Sequence, residues 1–317
     1  MIRVLITDTH FGWKQNSVTW INSQIKFIDE QVIPKIKELK KKDKVRLIHL
    51  GDVFDSRSSI NPMIAKITRE KFAQLRSLVD DFYIIAGNHD FYSPNSDDID
   101  SLTMVFQDMD INLVVKEAVY AGEDVFIPWY VYKNTTWIPA GVKNIFTHAD
   151  IFGEDRKTIG GVKIFSGHIH TPMINDSLGL YNLGSCYSLN FSDSNQERYF
   201  YVLDNELHKI ANKHSIQFWR LKDEQIFDEW GGNDDYYELY ISQSNMQTLR
   251  YQQRLAEFMK SKKNTWRVPV SDNLLDNIEQ FETYDINAVC KEHIPDHLQP
   301  KFKQIESYIN SHSTLDS

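Results

Sequence analysis

At 317 residues, with hydrophobic residues at 41% and charged residues at 25%, the chain is long enough to bury a sizeable core and too apolar to be disordered or fibrous. A net charge of −9, from 35 basic and 44 acidic residues, argues against broad electrostatic attraction to nucleic acid, so any polyanion must be held locally. Cys186 and Cys290 lie outside any C-x-x-C pair, which argues against a disulfide framework or thiolate metal site, and no apolar run approaches the ~18 residues of a membrane helix.

The opening MIRVLITDTHFG enters a strand-like run directly, without the regions of a signal peptide, so the expected location is intracellular and cytoplasmic. Up to about residue 205, short β-rich apolar runs alternate with helical stretches, the pattern of an α/β layered domain. Ile2 to Ile6 precedes Asp8 and His10; Val45 to Leu50 precedes Gly51 and Asp52; Phe82 to Ala86 precedes Gly87, Asn88 and His89. Ile145 and Phe146 precede His148, and Val162 to Phe165 precedes Gly167, His168 and His170. Polar clusters at successive strand ends are where open α/β sheets build ligand sites.

Between these strands, Ile21, Ile25, Ile28, Val32, Ile36 and Leu39 recur at helical spacing, with Pro34 placed to kink the helix. Asn61 followed by Pro62 reads as an N-cap and first-turn proline, opening a helix through about Val79, and a second short helix is expected over Asp97 to Asp108. Beyond residue 205 the texture becomes that of a small α+β appendage. Strands are expected at His214 to Leu221, Tyr236 to Ile241 and Thr265 to Val270, with a helix over Met246 to Lys260. The chain then ends in two amphipathic helices separated by Pro295 and Pro300.

Five of the eleven histidines fall in the strand-end clusters. Taken singly, each is better explained as a packed structural residue that has found a hydrogen-bond partner. The ordered set is not: Asp8-x-His10, Gly51-Asp52-x-x-Asp55, Gly87-Asn88-His89-Asp90, His148 and Gly167-His168-x-His170 each end a strand-like run. In this the chain resembles the calcineurin-like metallophosphoesterase superfamily. The segments GDVFDSR, GNHDFYS and FIPWY narrow the likeness to the SbcD, or meiotic recombination eleven, family of double-strand-break nucleases, and within it to the phage recombination-endonuclease members. Thr147 stands before His148 where many relatives have Gly, a departure that bears on the loop rather than the ligand.

The resemblance implies a layered β-sandwich flanked by helices, with a metallophosphoesterase domain at 1–205, a small α+β capping domain at 206–280 that presents DNA, and C-terminal helices at 281–317. It implies two divalent ions, one held by Asp8, His10 and His170, the other by Asn88, His148 and His168, with Asp52 bridging. Four imidazoles disfavour a purely hard Mg²⁺ site and leave Mn²⁺, Fe or Zn²⁺, of which Mn²⁺ is the expected ion. Two divalent ions, two carboxylates and a shared hydroxide leave one positive charge, which suits a phosphodiester. His89 is not needed as a ligand and is placed to protonate the leaving oxygen, with Asp55 and Asp90 orienting the histidines through hydrogen bonds.

From the same resemblance follow 3′ to 5′ exonuclease action on duplex DNA, endonuclease action on single strands, a homodimer built from the helices near 61–79 and 97–108, and an SbcC-like coiled-coil ATPase bound by the C-terminal helices. A phage gene would place the protein in the host cytoplasm. In the capping domain Lys260, Lys262, Lys263 and Arg267 are candidates for phosphate contact, and Trp219, Trp230, Tyr236, Tyr237 and Trp266 for base stacking or for the core. Two other functions stay open on the residues alone: a phosphatase or nucleotide phosphodiesterase with no DNA role, and a DNA-end-binding scaffold for the ATPase.

Overall fold

Strands that are apolar on both faces need cover on both sides, and in the computed structural model two sheets supply it by packing face to face with helices outside. The structure describes residues 1–93, 96–135, 140–228 and 230–270. By its internal contacts the chain forms two units, one of residues 1–219 with 231–236, the other of 220–230 with 237–317.

In the first unit, β1 (Ile2–Ile6), β2 (Val45–His49) and β3 (Asp81–Ile85) sit where the apolar runs place them. β4 (Phe91–Ser93) pairs antiparallel with β5 (Ser96–Asp100), and β6 (Asn112–Val114) follows. Then come β7 (Val119–Ala121), β8 (Asp124–Ile127), β9 (Asn144–Thr147), β10 (Lys163–Ser166), β11 (Met173–Asn175) and β12 (Leu180–Asn182). β13 (Tyr199–Leu203) and β14 (Leu207–Ala211) return to the first sheet, so this unit runs well past residue 205.

The sheet orders are β14-β13-β1-β2-β3-β6 and β11-β12-β10-β9-β8-β7. In the first, β1, β2, β3 and the edge strand β6 run parallel and β13 and β14 pair antiparallel at the other edge; in the second, the four central strands run parallel and β11 and β7 pair antiparallel at the edges. Parallel neighbours require crossovers, and the helices between β1, β2 and β3 provide them. Alternation along the strands decides the layers. Val4 and Ile6 face the helices with Trp20, Phe27 and Phe72, while Leu5, Ile48 and Ile85 face the second sheet. There Phe126, Phe146, Phe165 and Tyr181 stand opposite one another on β8, β9, β10 and β12, with ring centroids 5.5, 5.3 and 4.8 Å apart in that order. Such cross-strand aromatic pairs stabilise a sheet by roughly 0.2–1 kcal/mol each.

The helix expected over residues 21–39 is found as Val18–Phe27 and Ile33–Leu39 joined by a π-helical turn, Ile28–Val32. Pro34 has no N–H and its ring would crowd the carbonyl four residues back, and the wider turn just before it relieves both. Asn61 caps the helix Pro62–Arg76, its side chain accepting from the Met63 amide at 2.9 Å. The helix expected over Asp97 to Asp108 is shorter, Ser101–Phe106. Asp100 accepts from the Thr103 amide at 2.6 Å and fixes that start, while the residues before it pair as β5.

The strands' N-terminal ends are closed by charge. Asp124, fully buried, accepts from Arg3 Nε at 2.7 Å, Arg46 Nη1 at 2.7 Å and Asn144 Nδ2 at 2.9 Å, and Arg46 also donates to Asp81 at 2.7 Å.

The second unit contains most of a three-stranded sheet, β15 (Phe218–Lys222), β16 (Tyr236–Ser242) and β17 (Asn264–Val270), in that order, and the helix Leu249–Ser261. Tyr237 is buried edge-on against Phe258, and Arg254 lies over the Phe227 ring, so Tyr237 belongs to this unit's core. Trp266 is exposed, whereas Tyr236, in the first unit, stacks on Phe218. The C-terminal helices expected at 281–317 lie outside the described residues.

Candidate metal centre

At the strands' C-terminal ends the chain turns sharply. Beyond β1 and β2 the two loops stay zipped: the Asp8 amide donates to the Gly51 carbonyl and the His10 amide to the Asp52 carbonyl, both at 3.1 Å. Asp8, His10, Asp52 and His168 all adopt positive φ, between 43° and 77°. Non-glycine residues in that region cost about 1–3 kcal/mol each and persist only where their surroundings fix them. Gly51 has φ +100°, and a Cβ there would lie 2.7 Å from His148 Cγ and 2.9 Å from Gly87 Cα, so glycine is required both for the turn and for the approach of these loops.

All ten residues singled out in the sequence meet in this place. His10 Nε2 lies 4.0 Å from an Asp8 oxygen and 3.7 Å from an Asp52 oxygen; His170 Nε2 lies 3.9 Å from Asp8. His148 Nε2 is 3.3 Å from Asp52 and 3.0 Å from Asn88 Oδ1, and His168 Nδ1 is 2.9 Å from that same amide oxygen. Asp8, His10 and His170 lie close enough together to share an ion, as do Asp8, Asp52 and His148, and also His10, Asp55 and His89. Separations of 3–4 Å are those of neighbouring donors around ions bound at about 2.0–2.2 Å.

The donors are held from behind. Thr7 Oγ1 donates to Asp8 Oδ2, and Ser185 Oγ to the Asp8 carbonyl at 3.0 Å. His148 Nδ1 meets the Leu50 carbonyl at 2.7 Å, which assigns the proton to Nδ1 and turns Nε2 inward as a donor atom. The Asp90 carboxylate accepts from the amides of Asp52 at 2.9 Å, Val53 at 3.0 Å and Gly87 at 2.9 Å. It therefore orients backbone that carries Asp52, not a histidine. His89 Nδ1 meets the Asp55 carbonyl at 2.7 Å, leaving Nε2 for a substrate. The backbone of Asp55 thus orients His89, while its carboxylate lies 3.7 Å from His10 Nδ1.

Three supporting residues are not singled out by the sequence pattern. His49, fully buried, contacts Thr9 Oγ1 at 2.9 Å, and Gln24 Nε2 donates to the Thr9 carbonyl at 2.6 Å. Arg198, paired with Asp193 at 2.8 Å, donates to the His170 carbonyl at 2.5 Å. His49 interrupts an apolar strand and was detectable on that ground; Gln24 and Arg198 act across folds of chain that no local pattern reveals.

Both ring nitrogens of His10 are buried without a hydrogen-bond partner, an arrangement that is costly unless something coordinates them. Burial also holds His10 well below the ordinary imidazole range, so it stays neutral, as a ligand must. Burial and the Asp52 carboxylate push Asp8 up, although His148 and His170 oppose this. Burial also disfavours the charge on Asp52, yet His148, His89 and His10 keep it ionised, well below the usual carboxylate range. Burial opposes charge on His148 too, but Asp52 outweighs it and lifts the group to about 9. Burial and Asp52 raise Asp90 to about 7, and burial with His148 lowers His168 to about 4. Crowded, buried carboxylates beside the neutral, partnerless His10 ring fit a pair of divalent cations.

A fold with this site defines a metal-dependent phosphoester hydrolase. The sequence matches the calcineurin-like phosphoesterase family over residues 3–176, and the chain belongs to that family. Among solved structures, the nuclease MPE of Pseudomonas putida is 15% identical, with a TM-score of 0.33 and coverage of 66% of this chain and 87% of its own. A conserved uncharacterized protein of Streptococcus pneumoniae TIGR4, described as a predicted phosphoesterase, is 14% identical, with a TM-score of 0.29 and coverage of 68% and 91%. No curated protein matches significantly in sequence. Among the described residues no helix is long and apolar enough to cross a membrane.

Proposed function

We propose that the chain is a two-metal DNA nuclease of the SbcD kind, cutting duplex ends 3′ to 5′ and single strands internally, in recombination and double-strand-break repair. Asp8, His10 and His170 would hold one ion and Asn88, His148 and His168 the other, with Asp52 shared and Mn²⁺ the expected metal. Such a pair, when bound, supplies activation of the attacking water and neutralisation of charge on the phosphoryl oxygens.

The observation that carries the reading is the placing of His89. Its amide donates to Asp52 Oδ1 at 2.9 Å, and its Nδ1 is tied to the Asp55 carbonyl, which leaves Nε2 available to protonate a departing sugar oxygen. An acid so placed serves an alkoxide leaving group, which a DNA diester has. Support for the family comes from GDVFDSR, GNHDFYS and FIPWY. A homodimer is supported by the exposed apolar side chains Met63, Ile99 and Met104 on and beside the helices Pro62–Arg76 and Ser101–Phe106. Capture of an SbcC-like ATPase by residues 281–317 rests on their helical spacing in the sequence.

The test is incubation with end-labelled duplex DNA and with a small phosphodiester, in Mn²⁺ or Mg²⁺, with Asp52→Asn as control. Mn²⁺-dependent shortening of the DNA that is lost in the variant is expected. Cleavage of the small ester without cleavage of DNA, even with the ATPase supplied, would keep the metal site and overturn the substrate.

A further inference from the structure

Beside the metal centre lies a cavity of about 440 Å³, within the size range of small-molecule sites. Its apolar lining residues are Phe11, Phe54, Ile60 and Ile64, of which Phe11, Phe54 and Ile64 present almost no surface. Its uncharged polar lining residues are Gln15, Asn16, Ser56, Ser59 and Asn61, the last already engaged as the cap of the helix Pro62–Arg76. Among the described residues that line it, Asp55 is the one charged group. This is the residue whose carbonyl holds His89 and whose carboxylate neighbours His10, so the cavity wall is continuous with the candidate metal centre.

We infer that this cavity receives the nucleobase next to the scissile phosphate, and that it favours bases carrying an exocyclic amine. The inference rests on the nuclease reading and adds to it the part of the nucleotide that the metals do not touch. A lining without Lys, Arg or His gives no counter-charge to a second phosphate, whereas amides, hydroxyls and one carboxylate suit the hydrogen-bonding edge of a base. Amide side chains pair with adenine, and carboxylates accept from the amine of cytosine. Thymine has no amine to offer Asp55 or the amide oxygens.

The backbone supports this use of Gln15 and Asn16. Lys14, Gln15 and Asn16 form three successive left-handed residues, with φ of 53°, 58° and 63°. The turn is pinned by Trp13 Nε1, which donates to the Leu189 carbonyl at 3.0 Å, and by the Lys14 ammonium over the rings of Trp13, Phe218 and Tyr236. A turn that L-residues disfavour, held from outside, is what brings Gln15 and Asn16 to the cavity.

The test is calorimetric titration of the Mn²⁺-loaded protein with dAMP, dCMP, dTMP and deoxyribose 5-phosphate, repeated in the double variant Gln15→Gly, Asn16→Gly. Glycine accepts the left-handed backbone, so the turn is kept while the amides are removed. Tighter binding of dAMP and dCMP than of dTMP and the sugar phosphate, by about tenfold or more and lost in the variant, is expected. Equal binding of all four ligands would overturn the inference, as would a base preference that survives in the variant. Failure of the nuclease reading is seen separately, as intact DNA in the cleavage assay above.

Discussion

The two ends of the sandwich treat buried charge in opposite ways. At the strands' N-terminal ends, Arg3 and Arg46 meet Asp124 and Asp81 at 2.7 Å, and Asn144 takes up the second Asp124 oxygen. That network is closed on itself. At the C-terminal ends, Asp8, Asp52 and Asp90 are buried among His10, His49 and His148. The charge there is balanced only by shifting protons, upward on Asp8, Asp90 and His148 and downward on His10, His49 and His168. Both ends draw on the same strands, so the difference lies in the turns: positive-φ residues point donors inward at one end, and regular strand starts pair side chains at the other. A closed network contributes rigidity, whereas an unbalanced one contributes affinity for cations.

The contrast is broken most strongly by Asp52→Asn. Loss of the shared carboxylate is expected to lower turnover of a small phosphodiester by about three orders of magnitude, since a metal pair supplies several kcal/mol of transition-state stabilisation. Thermal stability of the metal-free protein should fall near neutral pH, because the Asp52–His148 pair is lost. Arg46→Ala is expected to act on stability alone. Leaving Asp124 under-neutralised should cost about 3–5 kcal/mol in denaturant unfolding, while the folded fraction keeps its metal-dependent turnover.

Asp90→Asn tests the backing of the site. An amide cannot accept three backbone N–H bonds as the carboxylate does, so metal affinity should fall about 10- to 100-fold with little change in secondary structure. The remaining effect is on pH. His148 is raised to about 9, above its ordinary 6.5, so the proton it carries in the metal-free protein must leave before Nε2 can coordinate. Metal affinity should then rise about tenfold per pH unit up to about 9 and level off above. The sign for stability is opposite: the His148–Asp52 pairing contributes fully below the unfolded pKa and is lost as pH climbs through 9, so the metal-free protein should weaken over the window in which metal binding strengthens.

Much of this is legible in the sequence, for definable reasons. Strands such as Ile2–Ile6 and Val45–His49 are apolar on both faces, and each is followed within a few residues by Asp or His, so the sheet and the cluster of donors at its end are read together. What stays hidden depends on distant chain. β13 pairs with β1 across most of the first unit, and Arg198 reaches the His170 carbonyl from beyond the metal loops. The left-handed turn at Lys14 to Asn16 has no glycine to announce it, because it is imposed by Trp13 and Lys14 packing elsewhere. The short helix Ser101–Phe106 is misjudged in length because Asp97 and Asp98 are compatible with a helix start until β4 claims them as a strand partner.

The central claim is that the unbalanced end is a paired-metal site. It is tested most directly by counting bound Mn²⁺ by calorimetry and recording its electron paramagnetic resonance spectrum, in the intact protein and in Asp52→Asn. The account predicts two ions per chain, spin-coupled through a shared ligand, with coupling lost in the variant. One ion per chain, or two that behave independently and are indifferent to Asp52, would contradict it.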